Sequence, residues 1–399
     1  MRICFYYEYK DLKGGYTTLI ISLIKELYRQ NKEILLFNYK NGLIQQELEK
    51  QNIEIEIVDI EQINWSEIDQ IVFPSDVIII TSFLEILHKF FKVNPFIVYY
   101  DINFLITHIS SYKHGMKFHF LGNKLVNKLI AHQSLIFMDD TGIANIKRVF
   151  KSQVAHPVYL PIPVSVPKNN YYLNKIKQDK NILNFTYVGR SVDWKMYPLK
   201  KIIEDCVAIS KTINIHFSIV VDSILEFEKF IDLNHYKKVS NLIFSLYENM
   251  LPSELDEFLK QTSDIHFAMG TASLDAAKFG IPTILIDASS KPMPQDYSYR
   301  WLYESVGFNI GKLLDDFSVP KGVTMKELIS SYLETNNDIV FSKRCYDHVN
   351  NLHSVEKVVP KLVEVCQSAR FRIRDAKNLV PYYFRFHRIL KSIFKRQKK

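Results

Sequence analysis

Residues 156–167 hold four prolines in twelve positions, and they divide the chain into two stretches that each alternate strand-like and helix-like segments. Proline has no amide hydrogen to give a helix interior or an inner strand, so neither element continues through this region. A polar run follows to Asn181, and the domain boundary is placed after Pro163. Before it, runs rich in β-branched and aromatic residues at 2–7, 33–39, 77–81, 96–100 and 135–138 read as strands, as does the alternating 54–60. Leu19, Ile20, Leu23, Ile24 and Leu27 repeat at helical spacing, and 42–51 and 143–150 also read as helices. After the boundary the pattern restarts, with strands at 182–189, 215–221, 242–245, 265–268 and 283–286 and helices at 198–211, 254–262 and 273–279. Strands alternating with helices make a parallel sheet covered on both faces. The expected fold class is α/β: two doubly wound Rossmann-like domains, 1–163 and 164–340, with residues 341–399 as C-terminal helices crossing back. Such sheets bind ligands at the carboxyl ends of their strands, which puts the expected site in a cleft between the domains.

Composition narrows the class. The 399 residues are 47% apolar and 24% charged, as in a folded globular protein long enough for two domains. No window offers the roughly 18 apolar residues of a membrane span. The apolar start meets an acid at Glu8, too early for a signal peptide, so the expected compartment is the cytoplasm. Cys4, Cys206, Cys345 and Cys366 are scattered without zinc-like spacing and read as reduced, buried thiols. The net charge of +8 is a property of one end: residues 370–399 hold eleven Lys/Arg against a single acid, Asp375, and the remainder has 40 basic and 42 acidic residues.

Three segments carry chemistry. Gly14-Gly15 joins the first strand to the first long helix, where glycine permits close approach of a ligand and the helix start offers amide hydrogens. It is neither a dinucleotide fingerprint nor a P-loop, and a tight turn alone accounts for it equally well. Val188-Gly189-Arg190 ends a strand, and Lys195 follows five residues later; a guanidinium fork and an ammonium beside a cleft suit a diphosphate. Gly270-Thr271-Ala272-Ser273 turns from a strand into a helix carrying Asp275, before Gly280-Ile281-Pro282. The turn directs amide hydrogens and the Thr271 and Ser273 hydroxyls toward a ligand. The Asp275 carboxylate suits two sugar hydroxyls, or else a helix dipole.

In this order the segments resemble the retaining GT-B glycosyltransferases of bacterial surface-polysaccharide synthesis. That family has a Gly-Gly entry loop, a Val-Gly-Arg strand end with a Lys five residues on, and a Leu-Glu-Ala…Gly-x-Pro segment, here Leu274-Asp275-Ala276…Gly280-Ile281-Pro282. The resemblance implies a glycosyltransferase that moves a sugar from a nucleoside-diphosphate sugar to a glycan or lipid-linked acceptor of capsule, O-antigen or lipooligosaccharide. It implies that Arg190, Lys195 and Gly15 hold the donor diphosphate. Gly270, Thr271, Ala272, Ser273 and Asp275 then form the donor pocket, with Asp275 on the ribose. The chain departs from the family in two places. Asp275 stands for a glutamate, and eight residues earlier Phe267 stands for the acid that touches the donor sugar. Near the reacting carbon, where the family often places a histidine, Asp101 is the candidate for acceptor activation.

No cofactor is expected beyond the nucleotide-sugar substrate, and no metal. There is no Asp-x-Asp triplet to carry a divalent ion, and the adjacent pairs Asp139-Asp140 and Asp315-Asp316 read as helix caps or solvated acids. In the tail, Tyr383, Phe386, Ile389, Leu390, Ile393 and Phe394 share one helical face, with Arg385, Arg388, Lys391 and Lys395 around it. This pattern suits an anionic membrane surface at the inner face of the cytoplasmic membrane, or a helix packed back on the first domain. The aromatic segment 294–304 reads as packing more than as a cleft wall. Nucleic acid is not expected as a partner, because the positive charge is terminal and the body slightly acidic. Two other readings are a catalytically silent module of this fold that recruits a polysaccharide assembly complex, and a nucleotide-sugar epimerase.

Overall fold

A computed structural model describes residues 1–11, 15–63, 77–80, 103–106, 119–168, 182–236, 238–314, 322–334, 338–372 and 375. The chain divides into two units, the first made of 1–163 and 355–399 and the second of 164–354.

The first unit follows the order β1 (Ile3–Tyr6), α1 (Gly15–Arg29), β2 (Ile34–Asn38), α2 (Leu43–Glu49), β3 (Glu56–Asp59), β4 (Val77–Ile80) and β5 (Asn103–Ile106). Then come α3 (His119–Ala131), β6 (Ile136–Phe137), α4 (Asp140–Phe150) and β7 (Val158–Tyr159). Its main sheet is wholly parallel in the order β3-β2-β1-β4-β5, with Cys4 opposite both Leu35 and Ile78. β1 and β2 are buried on both faces, as their unbroken apolar runs require. Asn31 and Asn52 take left-handed backbone conformations just past α1 and α2, and Lys32 N–H reaches back to the Leu27 carbonyl to close the first of these ends. The strand expected at 96–100 lies outside the described residues, and the fifth strand of the sheet is Asn103–Ile106.

The second unit contains β8 (Ile182–Gly189), α5 (Asp193–Ile209), β9 (Asn214–Val221), α6 (Ile224–Glu228) and β10 (Leu242–Glu248). It continues with α7 (Pro252–Thr262), β11 (Ile265–Ala268), α8 (Thr271–Ala277), β12 (Thr283–Leu285), β13 (Arg300–Trp301), α9 (Met325–Glu334) and α10 (Asp338–Leu352). The strand order β10-β9-β8-β11-β12 repeats that of the first unit, and β13 adds an antiparallel edge. Phe185, Phe217 and Phe267 meet at the centre of its core, with ring centroids 5.2–6.3 Å apart. The second unit thus runs past residue 340 to Ser354. Val164 pairs with Ser354 where the chain enters and leaves it, and Val164 N–H donates to the His353 carbonyl at 2.7 Å.

The last described helix, α11 (Val355–Ser368), belongs to the first unit. Val358, Val359, Leu362 and Val365 share one buried cluster with Leu19, Leu23 and Leu27 of α1. A helix from the far end of the chain therefore completes the core of the N-terminal sheet. All four cysteines are free and buried. Among the described residues no helix is long and apolar enough to cross a membrane. The tail expected to bind one, 376–399, lies outside them.

Candidate functional site

In the second unit the strand order reverses between β8 and β11, and ligands of doubly wound sheets bind outside the carboxyl ends of such a strand pair. Tyr187 of β8 lies opposite Phe267 of β11, so the two chains leave the sheet side by side into the turns that carry Arg190 and Gly270.

On β8, Phe185 and Tyr187 point into the core, and Gly189 follows on the same face. A Cβ at Gly189 would lie 2.4 Å from the Tyr187 hydroxyl, so the strand end must be glycine for room. Arg190 comes next and is exposed. Ser191 turns inward: its N–H donates to Asp222 Oδ1 at 2.6 Å and its hydroxyl to the Ser223 carbonyl at 2.7 Å. These two bonds pin the β8–α5 turn to the residues that follow β9. The Arg190 guanidinium lies 5.8 Å from the centroid of the Trp194 ring, and Lys195 Nζ lies 5.3 Å from it. Neither cation has an ion-pair partner among the described residues. Burial, reinforced by the Arg190 charge and opposed by Asp222, pulls the Lys195 ammonium down to about 8.

Helix α5 begins at Asp193, five residues before the expected start at Pro198, so Pro198 lies inside it. An interior proline withholds an N–H from the carbonyl four residues back, here that of Trp194. The Trp194 carbonyl instead accepts the Ser289 N–H at 3.0 Å. The helix tolerates proline because the segment after β12 supplies the missing donor.

The β11–α8 turn is only Met269 and Gly270. Gly270 has φ 67° and ψ −149°, a conformation essentially reserved for glycine, and its N–H donates to the Ile310 carbonyl at 2.6 Å. The 310–312 segment is held in turn by Asp287, which is fully buried at the end of β12. Asp287 accepts both Arg300 Nη atoms and the Lys312 N–H at 2.8 Å each, and the Tyr297 hydroxyl at 3.1 Å. Beneath the turn, His266 Nδ1 bonds the Thr186 hydroxyl at 2.8 Å, and burial pushes the imidazole down to about 3, so it stays neutral.

No known protein family matches this sequence, and no curated protein is similar to it in sequence. Solved structures are similar in fold. A glycosyltransferase from Rickettsia africae superposes with a TM-score of 0.64 at 13% identity, covering 92% of this chain and 98% of its own. Anabaena HepE, solved with UDP and glucose, gives 0.54 at 13% identity over 92% and 100%. An alpha-glucosyltransferase solved with UDP-glucose and DNA containing an abasic site gives 0.52 at 12% identity over 92% and 99%. The fold is GT-B. The alpha-glucosyltransferase structure was solved with DNA, which conflicts with the expectation, drawn from the charge distribution, that nucleic acid is no partner.

Within this GT-B chain, the structure brings Arg190 and Lys195 together around Trp194. It places Thr271 and Ala272 half-buried at the start of α8, directly after Gly270. Ser273 differs from expectation: it is fully buried, and its hydroxyl donates to the Gly270 carbonyl at 2.7 Å, which closes the helix's own first turn. Asp275 is partly exposed and faces Lys278 at 3.4 Å, while Lys278 also reaches Asp256 of α7 at 2.9 Å. Burial holds the Asp275 carboxyl above its ordinary range, against the pull of Lys278. Phe267 is fully buried in the core of the second unit, packed against Phe185 and Phe217. Gly15 opens α1, and the Tyr7 and Thr17 hydroxyls, 3.0 Å apart, tie the end of β1 to that helix. Asp139 caps α4, accepting the Thr141 and Gly142 amides. Gly14, Asp101, Asp315 and Asp316 lie outside the described residues. In the 294–304 segment Tyr297, Tyr299 and Trp301 are buried, which makes it packing.

Sequence reading missed Ser191, Trp194, Asp222 and Asp287. Trp194 carries the one usable signal, since it sits beside Lys195 just beyond a strand-end glycine. The roles of the acids depend on contacts 31 and 13 residues away in the chain.

Proposed function

We propose that this chain transfers a sugar from a nucleoside-diphosphate sugar to a glycan or lipid-linked acceptor. The observation that carries the reading is the convergence of Arg190 and Lys195 on Trp194 at the switch point of the second sheet, with no carboxylate at ion-pair distance among the described residues. As the glycosidic C–O bond breaks, negative charge grows on the leaving diphosphate, and preplaced cations offset it. Two of the similar structures were solved with UDP or UDP-glucose, which supports a nucleoside-diphosphate donor. Arg190 acts as a fork and Lys195 as a point charge, with Gly270, Thr271 and Ala272 along the donor and Asp275 toward the ribose.

The finer reading rests on the motif resemblance: a retaining, metal-independent transfer in surface-polysaccharide synthesis, with Asp101 activating the acceptor. The basic segment 370–399 then holds the enzyme at an anionic membrane. Incubation with a panel of nucleotide sugars and a membrane extract should release nucleoside diphosphate, and Arg190→Ala should abolish the thermal stabilisation that the diphosphate confers. Failure of any nucleotide or nucleotide sugar to bind at millimolar concentration would sink the reading. Sedimentation with phosphatidylglycerol vesicles tests the membrane arm, which requires binding that is lost at high salt and on removal of 376–399.

The buried Phe267 favours a second reading, in which the chain is a silent GT-B module that recruits an assembly complex. Donor turnover by the purified protein excludes it.

A further inference from the structure

We infer that Trp194 is a positioning residue for the donor phosphates: its ring gathers Arg190 and Lys195 into one cationic cradle that needs no carboxylate. The inference rests on the nucleoside-diphosphate reading and adds how that site is kept ready. Two cations five residues apart repel each other and draw apart unless something offsets the repulsion. A neighbouring acid is the ordinary answer, but it must be displaced before an anion binds. Here both cations lie within 6 Å of one aromatic centroid, at 5.8 and 5.3 Å, where the negative face of a ring attracts them. The ring is neutral, so the charge-assisted hydrogen bonds of both cations stay available to an incoming phosphate.

Both backbone polar groups of Trp194 are engaged, and its ring is held by packing. Trp194 N–H donates to Asp193 Oδ1 at 2.7 Å, and its carbonyl, freed by Pro198, holds the Ser289 amide. The indole packs on the edge of the buried cluster that contains Met196 and Leu199. Asp222, the acid whose charge acts on Lys195, spends its short bond on the Ser191 amide and so steadies the turn instead of pairing with a cation. The Lys195 ammonium, half-buried beside the Arg190 charge, is pulled down to about 8, as two neighbouring cations without a paired acid require.

Isothermal titration of the full chain with inorganic pyrophosphate, UDP and GDP tests the inference. Trp194→Leu should weaken pyrophosphate about tenfold, the worth of two partly desolvated cation–ring contacts. Trp194→Phe should recover most of the loss. In a Lys195→Met background, where one contact is already gone, Trp194→Leu should cost only about threefold. Unchanged pyrophosphate affinity in Trp194→Leu overturns the inference. So does a loss that Phe does not rescue, or one of equal size with and without Lys195, because a purely structural role for the ring predicts both. If the wild type binds pyrophosphate but neither nucleotide, the cradle stands and the UDP or GDP donor reading falls. If it binds none of the three, both fall.

Discussion

Gly189 and Gly270 constrain the site for opposite reasons. At Gly189 the obstacle is space, because the Tyr187 ring is fully buried and cannot swing clear of an added methyl. Gly189→Ala is expected to cost about 1–3 kcal/mol, read as a lower urea midpoint. At Gly270 nothing lies within 4 Å of where a Cβ would sit, and the obstacle is the positive φ. Gly270→Ala should cost about 1–3 kcal/mol, with nucleotide affinity reduced through the displaced turn. Lys195 sets the pH response. Its folded pKa of about 8 lies below its ordinary 10.5, so between those values the unfolded chain binds more protons. The contribution of this group to the stability of the free protein therefore rises with pH across that window. Phosphate affinity should move the other way, falling as pH rises through about 8, and Lys195→Met should erase that step in a titration series.

Among the elements, α5 is the most informative. The sequence pattern reads a helix from Pro198, and the structure starts it at Asp193, with the proline inside. The helix runs through the proline because a distant amide, Ser289 N–H, takes the place of the missing helical donor. Pro198→Ala restores a competing donor to the Trp194 carbonyl, and the Ser289 amide should then exchange with solvent measurably faster. β1 and β2 were legible because a strand buried on both faces writes a near-continuous apolar run, whereas Asn184 and Thr186 break up the apolar residues of β8 and His266 those of β11. β13 was not, since two residues at an antiparallel edge leave no pattern and owe their place to the Arg300–Asp287 pair. Arg190 and Lys195 were legible as candidates from the motif Val188-Gly189-Arg190 with a lysine five residues on. The ring between them and the serine clamp beside them were not, because their contacts appear only once the segments after β8, β9 and β12 meet at one end of the sheet.

At the scale of the whole molecule, the first unit is discontinuous and the second is not. Cutting the chain after Ser354 removes Val358, Val359, Leu362 and Val365 from the core that α1 builds, and that unit should then lose its cooperative thermal transition. The second unit contains its entire core, so calorimetry of the truncated chain should retain one transition, that of residues 164–354. Cutting after Asp375 spares α11 and should preserve both.

The same interruption orders events at the ribosome. Residues 1–163 emerge with an uncovered flank on α1, and roughly 190 more residues must be synthesised before α11 arrives to cover it. At translation speeds of about 5–20 residues per second, that exposure lasts about 10–40 s. The insert can finish folding during the wait, so the half made first is completed last, and a cell depleted of chaperones that shield nascent apolar surface should lose this protein through its N-terminal unit.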